Sequence, residues 1–133
     1  MKREEMVPSE SEWLIMEVLW EERASMTSSA VIKSLKDKSC MTPKMVRVLM
    51  NRLVQKGLLS YTVDERDARV YHYSALKSKE ECLKEKSRRF VDSYFSGSHK
   101  NAVAALLQSV KFGDEQLDEL MEILEKSKGK DEK

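Results

Sequence analysis

The sequence predicts a mainly α-helical chain interrupted once by a short β-hairpin, and three observations lead there. Charged residues fill 35% of the 133 positions, while there are only four glycines and two prolines, a turn-poor profile that favours helix. Apolar residues recur at helical spacing over most of the length. Between Leu58 and Tyr73 alone the period changes to two.

The elements follow in order. Pro8-Ser9-Glu10-Ser11-Glu12 has the hydroxyls and early acids of a helix start, and Trp13, Met16, Val18, Leu19 and Trp20 form the core face of a helix ending near Glu22. Thr27-Ser28-Ser29 caps a second, short helix with Val31, Ile32 and Leu35 on its stripe, reaching about Lys38. A third begins at Thr42-Pro43, a hydroxyl cap followed by proline where its missing N–H costs nothing. Val46, Leu49, Met50 and Leu53 fall at i, i+3, i+4 and i+7, and Lys56-Gly57 closes it. A two-stranded hairpin then runs from Leu58-Val63 through the polar turn Asp64-Asp67 to Arg69-Tyr73. Alone it would be marginal, so it must pack beside the helices. Ser78 caps a fourth helix reaching Phe95, broken by Ser96-Gly97-Ser98. A short apolar segment covers Asn101 to Val110, and Gly113-Asp114-Glu115 opens a last helix that frays over Lys126 to Lys133.

Three helices and a hairpin in this order make an N-terminal winged helix-turn-helix, 1–76, followed by a C-terminal helical domain, 77–133. The length suits one ordinary domain or two small ones. No apolar stretch approaches a membrane span and the start leads into no signal-peptide core, so a cytoplasmic protein without direct membrane binding is expected. Cys40 and Cys82, 42 positions apart, provide neither a disulfide framework nor a thiolate knuckle.

The net charge of +1 conceals a division. Residues 1–26 carry −4, residues 27–76 carry +5 and the remainder is neutral; Cys40 to Val63 holds Lys44, Arg47, Arg52 and Lys56 and no acid. Clustered cations of this kind suit a polyanion. Lys44, Arg47 and Asn51 lie at i, i+3 and i+7 on the third helix, turned away from the core stripe, and such side chains can read guanine and adenine edges in a major groove. Arg52 at the flank suits a phosphate. Thr42 and the first-turn N–H groups offer a phosphate site at the positive end of the helix dipole, and Pro43 shapes the entry or touches a thymine methyl. Arg66 and Arg69 place cations near the wing tip, among three acids. In the C-terminal domain, Leu83, Phe90, Val91, Tyr94, Phe95, Val103, Leu106, Leu107, Leu117, Leu120, Met121 and Leu124 are too many apolar side chains for 57 residues to bury among themselves, and two copies could bury them jointly. A two-fold dimer would present two such helices about one duplex turn apart.

On these residues the chain resembles the penicillinase repressor family of bacterial transcription regulators (the BlaI/MecI type, with copper-responsive relatives). Ser11 to Trp20 is similar to the family's opening helix with its two tryptophans, Thr42 to Gly57 to its recognition helix, Arg69 to Tyr73 to its returning wing strand and Asp114 to Leu120 to its final helix. The resemblance implies a homodimeric repressor bound to an inverted-repeat operator in double-stranded DNA. Thr42, Pro43, Lys44, Met45 and Arg47 stand where the family touches that operator, and Arg52 where it holds the backbone. It also implies inactivation by a membrane sensor metalloprotease pathway that cuts the C-terminal helices. The family's scissile Asn-Phe pair is absent here, where the chain reads Asn101-Ala102-Val103-Ala104-Ala105-Leu106-Leu107. The copper-responsive branch has a cysteine-rich tail, and this tail has none.

Competing readings are weaker. No glycine-rich phosphate loop, activated nucleophile or framed carboxylate pair points to an enzyme, and no cofactor is expected. His72 and His99 lack ligand spacing, so no metal site is expected. Cys40 before a helix start leaves redox sensing open, as the fold alone leaves open a protein-binding adaptor. Trp13 and Trp20, Cys82 and the eight methionines are read as packing.

Overall fold

The structure, a computed structural model, describes residues 7–131. Its order is α1 (Glu10–Glu22), β1 (Met26–Thr27), α2 (Ser28–Leu35), α3 (Pro43–Gln55), β2 (Leu59–Val63), β3 (Tyr71–Ala75), α4 (Lys79–Phe95), α5 (His99–Ser109) and α6 (Asp114–Asp131). Two compact units are present, one reaching to Arg88 and the other starting at Arg89.

In the first unit the helix starts follow the hydroxyls. Ser9 Oγ accepts from the Glu12 amide while Glu12 Oε1 accepts from the Ser9 amide, a reciprocal capping box. Thr27 and Thr42 cap α2 and α3 through bonds from Ala30 and Met45, each 3.1 Å. Helix α2 stops at Leu35 rather than near Lys38. Leu35 is its last buried anchor, and the exposed Lys36-Asp37-Lys38 that follow form a turn with nothing to bury.

Helix α3 closes as Gly57 predicts. Gly57 takes φ +79°, its N–H donates to Val54 O at 3.0 Å and the Leu58 N–H to Leu53 O at 2.9 Å, with Leu53 and Leu58 both buried. A Cβ at Gly57 would meet nothing within 4 Å, so Gly57→Ala carries only the strain of the left-handed backbone. It should cost about 1 kcal/mol in urea unfolding and leave the fold intact.

The hairpin is part of a larger sheet. Three antiparallel strands lie in the order β1-β3-β2, with Met26 opposite Tyr73 and Thr27 opposite His72 on one side, and Leu59 to Val63 opposite Ala75 to Tyr71 on the other. The two residues of β1 are too few to show a period, and their pairing reaches far along the chain. Strand β3 begins at Tyr71, not Arg69, because Val70 is taken up by the turn: its N–H donates to Asp67 O and its O accepts from the Asp64 N–H.

Ile15 and Met16 of α1, Val31 and Leu35 of α2, and Val46, Leu49, Met50 and Leu53 of α3 meet Leu58, Leu59 and Tyr73 in one core, which Cys82 of α4 completes. The stripe expected on α3 is this core's contribution. Trp13 and Trp20 border it, edge to face at 5.1 Å, and the Trp20 indole N–H donates to Lys77 O at 2.9 Å. Met16 and Met50 are fully buried, whereas Met45 and Met121 are exposed, so packing accounts for some of the methionines and not others; Met1 and Met6 lie outside the described residues.

In the second unit, α4 ends where Ser96 and Gly97 turn left-handed, at φ +49° and +84°. The Gly97 N–H donates to Val91 O, and Ser98 Oγ caps α5 by accepting from the Asn101 amide. Helix α6 continues through Lys126 to Asp131 where fraying is expected; its lysines favour helix, and Gly129, at a cost of about 1 kcal/mol, does not end it. Glu132 and Lys133 lie outside the described residues.

Candidate nucleic-acid interface

Burying Val46, Leu49, Met50 and Leu53 on one side of α3 forces the opposite side outward. Thr42, Pro43, Lys44, Met45, Arg47, Asn51 and Arg52 are all exposed. The side chains of Lys44, Arg47, Asn51 and Arg52 form no hydrogen bond or ion pair with other described residues, so their donors are free for a ligand. The helix start is narrower as an anion site than expected. Thr42 Oγ1 accepts from the Met45 amide and keeps only its O–H to donate, and Pro43 has no N–H, which leaves the Lys44 amide as the one first-turn N–H without a capping partner.

The wing tip is built around Asp64. Its Oδ2 accepts from the Arg66 and Asp67 amides at 2.9 and 3.0 Å, and its Oδ1 lies 2.9 Å from His72 Nε2. The bond to His72, helped by the Arg66 amide, holds the Asp64 carboxyl below its ordinary range. Arg69 grips Asp67 with Nε at 3.1 Å and Nη2 at 3.3 Å, and this pairing likewise lowers the Asp67 carboxyl. The Arg69 cation is therefore partly balanced, though an exposed pair is worth little and exchanges readily for another anion. Arg66 is exposed at the tip, with its backbone N–H tied to Asp64.

Of the C-terminal apolar set, Leu83, Phe90, Tyr94, Val103, Leu106, Leu107, Leu117, Met121 and Leu124 are exposed; Phe95 and Leu120 are half-buried. Val91 differs: at 5% exposure it is already covered within its own chain. Val110 and Ile123 belong with the exposed set although they stand outside the apolar residues expected to join two copies, and so does Val48 on α3. A helical wheel would have found Val48, which shares the polar side.

Cys82 is buried, which pushes its thiol pKa up, while Cys40 is exposed. No helix of the described residues is long and apolar enough to cross a membrane.

Residues 8–126 match the sequence model of the family described as penicillinase repressor. The penicillinase repressor of Bacillus licheniformis is 28% identical over 122 residues, 92% of either chain. The methicillin resistance regulatory protein MecI of Staphylococcus aureus (strain N315) is 22% identical over 118 residues, 89% of this chain and 93% of MecI. Among solved structures, the DNA binding domain of the repressor BlaI superposes with a TM-score of 0.50 at 28% identity, over 61% of this chain and 93% of that domain. YusO from Bacillus subtilis gives 0.50 at 19% identity, over 92% and 75%, a likeness of fold. A three-helix unit with a wing, and a family match that runs from the cap of α1 into the last helix, lead to one conclusion: the chain belongs to the penicillinase repressor family of winged-helix repressors.

Proposed function

We propose that this chain represses transcription by binding an inverted-repeat operator in double-stranded DNA as a homodimer, residues 1–76 contacting the DNA and residues 77–133 joining the copies. The observation that carries the reading is the uncommitted polar side of α3, held outward by the buried stripe behind it. Lys44, Arg47 and Asn51 would face base edges, with Met45 and Pro43 at the entry. Arg52, the Lys44 amide and Thr42 would hold phosphates, and Arg66 and Arg69 would meet the backbone beside the wing. The relatives' names, a penicillinase repressor and a methicillin resistance regulator, support a β-lactam-linked target.

Arg47→Ala should weaken operator binding by about 1–3 kcal/mol and relax selectivity at one base position, while sedimentation shows the dimer unchanged. Unchanged affinity in a gel shift would refute the assignment of the recognition side.

The exposed apolar residues on α4, α5 and α6, which two copies could bury jointly, support the dimer. Splitting it would remove the avidity of the second half-site, so cleavage in the C-terminal helices is an effective off-switch. Residues 101–107 lie within α5, and a protease would need that helix to open locally. Mass spectrometry of the chain from β-lactam-treated cells tests this: fragments ending within α5 support a sensor-protease pathway, and an uncut chain in derepressed cells excludes it.

A further inference from the structure

The polar pattern of α3 does not account for one side chain in its midst. Val48 is 45% exposed. At about 100° per residue it stands roughly 40° around the axis from Lys44, 40° from Arg52 and 60° from Asn51. It is therefore set among the very donors turned toward solvent, with Arg47 preceding it in the chain. A solvent-facing valine in mid-helix does little for the helix, since β-branching lowers helix propensity and its side chain joins no core that would offset that. Branching does hold its χ1 to essentially one rotamer, which fixes both methyls relative to the backbone. The exposed Met45, with three rotatable bonds, has no such definition. In the major groove, base edges present hydrogen-bonding groups and one apolar feature, the C5-methyl of thymine. A rigid pair of methyls surrounded by donors is complementary to a thymine flanked by hydrogen-bonded bases.

We infer that Val48 is a specificity-determining residue that packs against the C5-methyl of one thymine in each operator half-site. This rests on the reading of α3 as the groove-binding helix and adds to it a base that the polar residues do not read.

The test uses the full chain and a duplex that it selects from a random-sequence library. Each thymine is replaced in turn by deoxyuridine, which removes the methyl and keeps the base pairing, and affinity is followed by fluorescence anisotropy. One thymine per half-site should lose about fourfold on replacement, the effect of one methyl leaving an apolar contact. Val48→Ala should bind the thymine and uracil duplexes equally, and Val48→Thr, which keeps a methyl in place, should retain a penalty. The inference is overturned if no thymine is sensitive, if the penalty is undiminished in Val48→Ala, or if Met45→Ala abolishes it instead. Selection of no sequence at all by the unaltered chain would overturn the groove-binding reading itself, and the inference with it.

Discussion

Glu12→Ala is expected to lower folding stability by about 3–5 kcal/mol, because it strands a charge. Glu12 is 1% exposed and its Oε1 accepts from both the Ser9 amide and the Lys56 ammonium; Lys56 Nζ also donates to Val7 O at 3.2 Å. One pair thus ties the entry of α1 to the last turn of α3. Removing the carboxylate leaves an ammonium whose side chain is only 18% exposed with a single backbone acceptor and little water. Residual hydration of Lys56 places the cost toward the lower end. The double change Glu12→Leu with Lys56→Met should recover most of the loss, since an apolar pair carries no desolvation penalty. Urea unfolding of the single and double variants measures both, and a loss under about 1 kcal/mol in Glu12→Ala would mean that the ammonium reaches solvent.

Operator affinity should fall about 10³- to 10⁵-fold between 50 and 200 mM salt, the range for six to ten phosphate contacts. A net charge of +1 provides almost no general attraction to DNA, so any such dependence must come from local cations. Each half of the proposed dimer offers Arg52, Arg66, Arg69 and the start of α3 for phosphates, enough to reach that number when doubled. The logarithmic slope from a salt titration reads the count directly. A slope shallower than about −2 would mean that these cations do not engage the backbone. Arg69→Ala should make the slope less steep by less than Arg52→Ala does, because Asp67 already balances part of the Arg69 charge.

The α3 stripe, its Thr42 cap and its Gly57 end were legible because each depends on residues within one or two turns of each other. The same locality made the four hydroxyl caps of the first unit, Ser9, Thr27, Thr42 and Ser78, readable. Strand β1 was not, since two residues carry no period and Met26 finds Tyr73 only after the chain has folded. Glu12 read as a capping acid, and it is one, but nothing nearby in sequence discloses its bond to Lys56, 44 positions on. At the candidate interface the polar residues stood out by charge. Val48 carries no charge to mark it, although a helical wheel sets it on the same side as those residues.

The sequence by itself determined the order of helices and hairpin, where most of them begin, and the cationic side of the third helix, since periodicity, capping and charge act over a few residues. Tertiary structure alone decided the third strand and the buried Glu12–Lys56 pair. These depend on which distant groups are driven together when the apolar stripes leave water, and on how much room for solvent that packing leaves.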